Sequence, residues 1–129
     1  MNVDDAINFD DLRILAKKRL PKIIYDFIEG GVDDEDGLDR NENAFRRRPL
    51  MPRYMVDISE RDQSQPLFGR QYSSPFGIAP TGGISNYRWG GDLMLAEAAR
   101  EANIPFIMSG AATASMEDLA KVAPEHGWY

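Results

Sequence analysis

Two short loops carry the residues whose types could bind a ligand. The first contains Pro80, Thr81 and Gly82 and directly follows an apolar run, and the second begins at Ser109 after another apolar run. Proline fixes a backbone angle, threonine and serine add hydroxyl groups, and glycine leaves the main chain uncovered, so a flat ligand could lie against such loops. Two plainer interpretations stay open: an ordinary strand-to-helix turn, and a serine that bonds only to nearby backbone.

Composition excludes several other kinds of chemistry. The 129 residues include no cysteine and a single histidine, His126, so thiolate metal sites, cysteine nucleophiles and paired imidazoles are excluded. The sequence also has no glycine-rich phosphate loop, no metal-ligand spacing around His126 and no serine-nucleophile motif. We therefore expect no metal site.

Charge and hydropathy narrow the class of protein. There are 21 acidic and 15 basic side chains, a formal net charge of -6, which argues against a nucleic-acid binder. The polar, acidic start is unlike a secretory signal, and no apolar run approaches the roughly 20 residues that span a bilayer. We therefore expect a cytoplasmic protein, with enough hydrophobic residues (43%) to bury a core.

The first half of the chain has the pattern of three helices. Pro21 is expected to end the first helix and to open the second as its first residue. The second helix has an apolar stripe that includes Phe27, and a glycine pair should end it. Leu38 and Phe45 are expected to anchor the third helix, whose acidic start and three terminal arginines suit the helix dipole. A specific anion site at those arginines is the alternative.

The second half alternates strands and helices. A hairpin is predicted over residues 64–74, with Phe68, Gly69 and Arg70 at its turn. Buried strands are predicted at 76–79 and 105–109, with an amphipathic helix between them. The expected apolar face of that helix consists of Leu95, Ala98, Ala99 and Ala102. A short helix capped by Ser115 and a third strand at 127–129 complete the pattern of a parallel sheet, in which ligands bind at the carboxyl ends of the strands.

Four segments occur in one order and at consistent spacing. They are LPKIIYDFIEGGVDDEDGLDRNENAF, PRYMVDIS, PFGIAPTGG and IPFIMSGAATASMEDLA. Together they resemble the N-terminal part of the FMN-dependent α-hydroxy acid dehydrogenase/oxidase family, which includes glycolate oxidase, L-lactate dehydrogenase and mandelate dehydrogenase. The resemblance runs from about residue 9 to residue 129.

The resemblance implies an α/β fold, a (β/α)8 TIM barrel preceded by helices and a hairpin. The expected organisation is a helical cap over residues 1–54, a hairpin region over 55–75, and the first two βα units with the start of a third strand over 76–129. Because such a barrel needs about 250 residues, we expect this chain to be the truncated front of one.

The resemblance also implies a cofactor, FMN, and assigns roles to residues. Pro80, Thr81 and Gly82 match the loop whose backbone lies beside the flavin ring, and Ser109 matches a serine at the ring's polar edge. Phe27 matches a substrate-binding position where many members carry a tyrosine that bonds the substrate carboxylate. The family's catalytic histidine, substrate-binding arginines and phosphate-binding loops match nothing here, so we expect no catalytic residue in this chain.

The implied reaction, for the parent enzyme, is oxidation of a small 2-hydroxy acid to a 2-oxo acid, with electrons passed to oxygen, a quinone or a cytochrome. A homo-oligomer is expected of the full-length form, and residues 1–129 alone should bind FMN weakly or not at all. Two alternatives stay open. One is a non-catalytic truncated fragment or interaction module without flavin chemistry, and the other is a small phosphate-binding βα protein unrelated to flavins.

Overall fold

Helices alone form the first part of the chain, and helices with short strands form the rest. The computed structural model describes residues 2–129, which make one compact unit up to Val56 and a second from Asp57 to Tyr129. None of the described helices combines the length and the apolar character that a membrane span needs.

The first unit contains the three predicted helices. They are α1 (Phe9–Arg19), α2 (Lys22–Glu29) and α3 (Asp36–Arg46). Asn8 caps α1, since its side-chain oxygen accepts a 2.9 Å hydrogen bond from the Asp11 N–H. The prediction that Pro21 is the first residue of α2 is wrong, because Pro21 has an extended conformation just before the helix and Lys22 is its first residue. Gly30 ends α2 as expected.

No described residue of the first unit is buried. The predicted stripe of α2 stays open to solvent, and Phe27 is 73% exposed. The prediction that Phe45 anchors α3 is wrong, because its ring is 83% exposed. Leu38 does pack against the backbone of Gly31. A Cβ atom added at Gly31 would lie only 3.0 Å from the Leu38 side chain. The apolar positions were identified correctly, but this unit does not enclose them.

Charge links the three helices of the first unit. The Arg13 guanidinium in α1 lies 2.5 Å from the Glu29 carboxylate in α2 and 3.6 Å from that of Glu42 in α3. It also lies 3.5 Å from Asp10 in its own helix. The hydrogen bond to Glu29 is the main reason that the pKa of Arg13 is raised.

The second unit opens with the predicted hairpin. Its strands are β1 (Gln65–Leu67) and β2 (Arg70–Tyr72), paired antiparallel. Phe68 and Gly69 form a two-residue turn with positive φ angles of 48° and 82°, the sign that primed hairpin turns require at both central residues. Arg70 pairs with Leu67, so it belongs to the strand and not to the turn, contrary to the prediction.

A short parallel sheet follows. Strands β3 (Phe106–Ile107) and β4 (Gly127–Trp128) pair in parallel, and Ile78 joins them through an isolated parallel bridge to Phe106. The predicted strand over residues 76–79 is thus reduced to that bridge. To extend the pairing toward Phe76, the backbone N–H of residue 105 would have to donate a hydrogen bond to the Phe76 carbonyl oxygen. Residue 105 is a proline and has no N–H.

Two helices, α4 (Gly91–Glu101) and α5 (Met116–Val122), pack on this sheet. The core that they enclose consists of Ala96, Ala99, Phe106, Met108, Leu119 and Ala123. The predicted face of α4 is partly wrong: Ala98 and Ala102 are exposed, and Ala96 is buried instead. The observed face runs through Asp92, Leu95, Ala96 and Ala99, a regular i, i+3, i+4, i+7 series.

Candidate functional site

The two loops singled out in the sequence lie side by side in the second unit. The strand positions that they follow pair in parallel, so both loops leave the same carboxyl edge of the sheet. The Gly83 N–H donates a 3.2 Å hydrogen bond to the Ala111 carbonyl oxygen. A side-chain carbon at Gly82 would lie 2.9 Å from the Ala111 Cβ and 3.4 Å from the Ser109 Oγ. The expectation that these loops meet at one edge is confirmed.

The first loop presents free backbone donors. Pro80 and Thr81 are exposed and Gly82 is half-buried. Within residues 2–129, the N–H groups of Thr81 and Gly82 donate to no protein acceptor, and the Thr81 hydroxyl makes only a long 3.5 Å contact with the Ala79 carbonyl oxygen. Two successive N–H groups beside a position without a side chain suit a flat ligand with acceptor atoms at its edge.

Ser109 begins the second loop and organises it locally. Its Oγ accepts a 3.1 Å hydrogen bond from the Ala111 N–H, and its carbonyl oxygen accepts one of 3.0 Å from the Ala112 N–H. The hydroxyl hydrogen has no acceptor in the described part of the chain. Ser109 therefore bonds to nearby backbone, as the plainer interpretation held, and still has a donor to offer.

His126 lies at the other edge of the sheet. It directly precedes β4, and its carbonyl oxygen accepts a 2.9 Å hydrogen bond from the N–H of Phe106, the first residue of β3. Since parallel strands have their amino ends at one edge and their carboxyl ends at the other, His126 is separated from the loop of Ser109 by the length of the strands.

The surroundings of His126 favour its neutral form. Its ring is buried, and Nε2 lies 3.1 Å from the Asn103 Oδ1 and 3.2 Å from an Arg70 nitrogen. Asn103 donates its amide hydrogens to Ser73 and to the backbone of Gln71, which points Oδ1 at the imidazole, while the Arg70 guanidinium, which can only donate, approaches the same ring nitrogen. Burial and then the Arg70 charge lower the pKa of His126. This histidine has a structural role.

Phe27 is placed by the structure within the first unit. Its ring is exposed on α2 and does not form a core with Ile24 and Ile28 in that unit. A core role inside the helical unit is thereby excluded, and its proposed contact with substrate stays a prediction.

Three further residues near the paired loops were missed from the sequence. Asp92 is 2% exposed, and its carboxylate accepts hydrogen bonds from Thr113, which in turn contacts Ser85. One signal was present: Asp92 lies three and four positions before Leu95 and Ala96, on the buried face of α4. A carboxylate on such a face needs partners, because burial of an unpaired charge is costly.

The sequence profile of the FMN-dependent dehydrogenase family matches residues 16–129. The match takes in the last turn of α1, all of α2 and α3, and both strand-end loops. The chain belongs to this family. FMN is the family's cofactor, and the free N–H groups of the first loop together with the free hydroxyl of Ser109 fit the polar edge of a flavin ring.

Relatives within the FMN-dependent dehydrogenase family include (S)-mandelate dehydrogenase of Pseudomonas putida, which is 42% identical over 126 residues, 97% of this chain and 32% of that protein. Human 2-hydroxyacid oxidase 2 is 42% identical over 115 residues, 89% of this chain and 33% of that protein. The chain therefore spans about a third of the length of these relatives.

Solved structures of the same family agree in fold. An oxidised active mutant of (S)-mandelate dehydrogenase matches with a TM-score of 0.87 and 41% identity over 96% of this chain and 35% of that one. A structure of (S)-mandelate dehydrogenase described as a monotopic membrane protein also matches with a TM-score of 0.87, at 40% identity over 96% of this chain and 33% of that one. The predicted fold class, a partial TIM barrel, is confirmed.

Proposed function

We propose that this chain forms part of the flavin site of an enzyme that oxidises a small 2-hydroxy acid to a 2-oxo acid. The observation that carries the proposal is the pairing of the two strand-end loops, which places Gly82 and Ser109 within one ligand's reach. Family membership and relatives named as 2-hydroxyacid oxidases and mandelate dehydrogenase support the same reaction.

In this proposal the chain's own residues bind and orient the flavin. The N–H groups of Thr81 and Gly82 and the hydroxyl of Ser109 donate hydrogen bonds to the polar edge of the flavin, and Pro80 keeps the first loop rigid. Bound FMN supplies an acceptor for the two electrons that leave the α-carbon. The loop donors would hold the bound ring by its polar edge, and fixed donors of this kind need little reorganisation.

His126 is not placed to act as the base for the reaction. Oxidation removes the α-hydrogen with two electrons and a proton from the hydroxyl group, leaving a carbonyl. His126, the one imidazole in the sequence, is buried and lies at the amino edge of the sheet. We therefore propose that proton removal belongs to residues outside this chain, and that residues 1–129 alone are inactive.

The proposal about substrate preference rests on Phe27. A tyrosine hydroxyl at this position would donate a hydrogen bond to the substrate carboxylate, and such charge-assisted bonds contribute about 1.5–3 kcal/mol. Phenylalanine offers an apolar wall instead, which favours longer or aromatic 2-hydroxy acids over glycolate. We also propose that the electron acceptor is oxygen, a quinone or a cytochrome. The full-length form is proposed to be a homo-oligomer with a cytoplasmic location.

The test uses the complete protein that carries this chain. We expect it to be yellow, with flavin absorbance that bleaches under anaerobic conditions when a 2-hydroxy acid is added. Gly82→Val should reduce flavin content, because its side chain would collide with Ala111. Gly37→Val is the matched control, since a side chain there meets nothing within 4 Å and Gly37 lies in α3, outside both loops. Purified complete protein without flavin, or with flavin that no 2-hydroxy acid reduces, would contradict the proposal.

A further inference from the structure

Asp92 is a buried carboxylate outside the residues assigned so far. It lies in the first turn of α4 and is 2% exposed. Its Oδ2 accepts two hydrogen bonds from one residue, at 3.2 Å from the Thr113 N–H and at 3.0 Å from the Thr113 hydroxyl. Removing a carboxylate from water is costly unless it is paired, and here these two donors and the positive end of the helix dipole offset that cost.

The hydrogen bonds run in one direction. Because the Thr113 hydroxyl donates its only hydrogen to Asp92, its contact with the Ser85 hydroxyl requires Ser85 to donate. Ser85 lies in the 3-10 turn Ile84–Asn86, which directly follows the first strand-end loop. Thr113 lies in the second loop. The chain of bonds from Ser85 through Thr113 to Asp92 therefore joins both loops to the helix that packs on the sheet.

Few other contacts hold the second loop against the first. One backbone hydrogen bond crosses between them, from the Gly83 N–H to the Ala111 carbonyl oxygen. The Gly82 backbone also lies close to Ala111. Neither contact involves a charge, whereas the part-buried Asp92–Thr113 bonds, which attach the second loop to α4, are charge-assisted.

We propose that Asp92 is a positioning residue for flavin binding: through Thr113 it fixes the second strand-end loop beside the first, so that the donors of Gly82 and Ser109 face one ligand. This inference rests on the proposed flavin site. Its consequence is quantitative, because the apparent dissociation constant of a ligand rises in inverse proportion to the fraction of protein whose site is already arranged.

The test measures FMN binding to the apoprotein of the complete flavoenzyme. Thr113→Val removes the hydroxyl and keeps both the shape and the backbone bond to Asp92. We expect it to raise the dissociation constant of FMN by about tenfold, as would follow if the arranged fraction of the loops fell to about a tenth. Thr113→Ser keeps a hydroxyl and should restore affinity to within about twofold of the wild-type value.

Ser115→Ala is the matched control for a general loss of stability. The Ser115 hydroxyl caps α5 by accepting a 3.1 Å hydrogen bond from the Asp118 N–H. Ser115 is two residues from Thr113 in the sequence but takes no part in the hydrogen bonds that lead to Asp92. We expect Ser115→Ala to lower the melting temperature and to leave the dissociation constant of FMN unchanged. Hydrogen exchange of the apoprotein adds a second measurement, in which Thr113→Val should speed exchange at Gly83, whose N–H bonds across the loops.

The outcomes separate the inference from the proposed function. A wild-type apoprotein that binds no FMN would overturn the flavin site and this role with it. A wild type that binds FMN would overturn the positioning role alone if Thr113→Val bound FMN with unchanged affinity, or if Ser115→Ala weakened binding as much as Thr113→Val. Faster exchange at Gly83 and weaker FMN binding in Thr113→Val, both reversed in Thr113→Ser, would support it.

Discussion

Both units of this chain carry apolar side chains on their helices but use them differently. In the helical unit no described residue is buried, and the helices are linked through the Arg13 ion pairs. In the second unit α4 and α5 enclose a core around Phe106 on a very short parallel sheet. The same kind of amphipathic pattern therefore leads to an enclosed core in one unit and to an open apolar surface in the other.

The difference shows which structure each part can maintain by itself. The second unit brings together strands and helices that are distant in sequence, so its apolar side chains find partners within it, and its candidate site rests on that core. Within the helical unit the apolar side chains meet only neighbouring helices, and Ile23, Phe27 and Phe45 remain more than 70% exposed. Burial stabilises one unit, while local helix capping and charge stabilise the other.

The largest expected effect on stability comes from a substitution in the core of the second unit. Phe106→Ala should lower the free energy of unfolding by about 3–5 kcal/mol, because it removes a fully buried ring and leaves a cavity. Phe45→Ala in the first unit is the matched control, and we expect a change within about 0.5 kcal/mol for this exposed ring. Urea unfolding followed by circular dichroism measures both. Equal losses would show that the units do not differ in the way described.

A second expected effect is a pH dependence confined to the second unit. Burial and Arg70 lower the pKa of His126 in the folded state, so folding favours the neutral imidazole. The unfolded state takes up a proton as the pH falls below about 6.5, the ordinary histidine value, and the folded state resists doing so. The free energy of unfolding should therefore be constant above about pH 7.5 and decrease as the pH falls from 6.5 toward the lower folded pKa.

Burial is the main cause of the lowered pKa of His126 and sets the sign of this effect, and the charged groups that face the ring add to it or oppose it. Arg70 and Arg100 oppose a positive imidazole, and only Glu125 favours one. The measurement is urea unfolding at intervals between pH 8 and pH 5, with His126→Gln as the control that should remove the dependence. The lowered pKa of Glu125 contributes only below about pH 4.5 and leaves this window clear. The first unit has no histidine and should not contribute to the dependence. A free energy of unfolding of the second unit that stays constant from pH 8 to pH 5 would contradict the prediction.

Much of this fold could be predicted from local pattern, because capping residues, glycine stops and hydrophobic spacing act over a few positions. The three helices of the first unit and the hairpin are examples. The strand at 76–79 was over-predicted, since its extent depended on the missing N–H of Pro105, a residue on the partner strand. The face of α4 was shifted because alanine carries little information about burial: Ala96 is buried and Ala98 is exposed.

The candidate site was predictable where it uses backbone and unpredictable where it uses side-chain partners. Glycine, proline and hydroxyl residues after buried strands indicate a loop that can approach a ligand, and the two loops do meet. The bonds among Ser85, Asp92 and Thr113 depend on how two loops 20–30 residues apart are brought together. No spacing rule connects such positions, so the network was missed.

The smallest expected effect concerns the charges of the first unit. Arg13→Gln removes the ion pairs that join α1 to α2 and α3, and because these groups are exposed, solvent screens their attraction. We expect a slight loss of helical circular dichroism at low ionic strength, which should disappear near 1 M salt, where the Debye length is about 3 Å. Arg40→Gln is the control, since Arg40 lies in α3 and makes no ion pair in the described part of the chain. If Arg13→Gln lost as much helix at high salt as at low salt, packing by the arginine stem, and not its charge, would be what links the three helices.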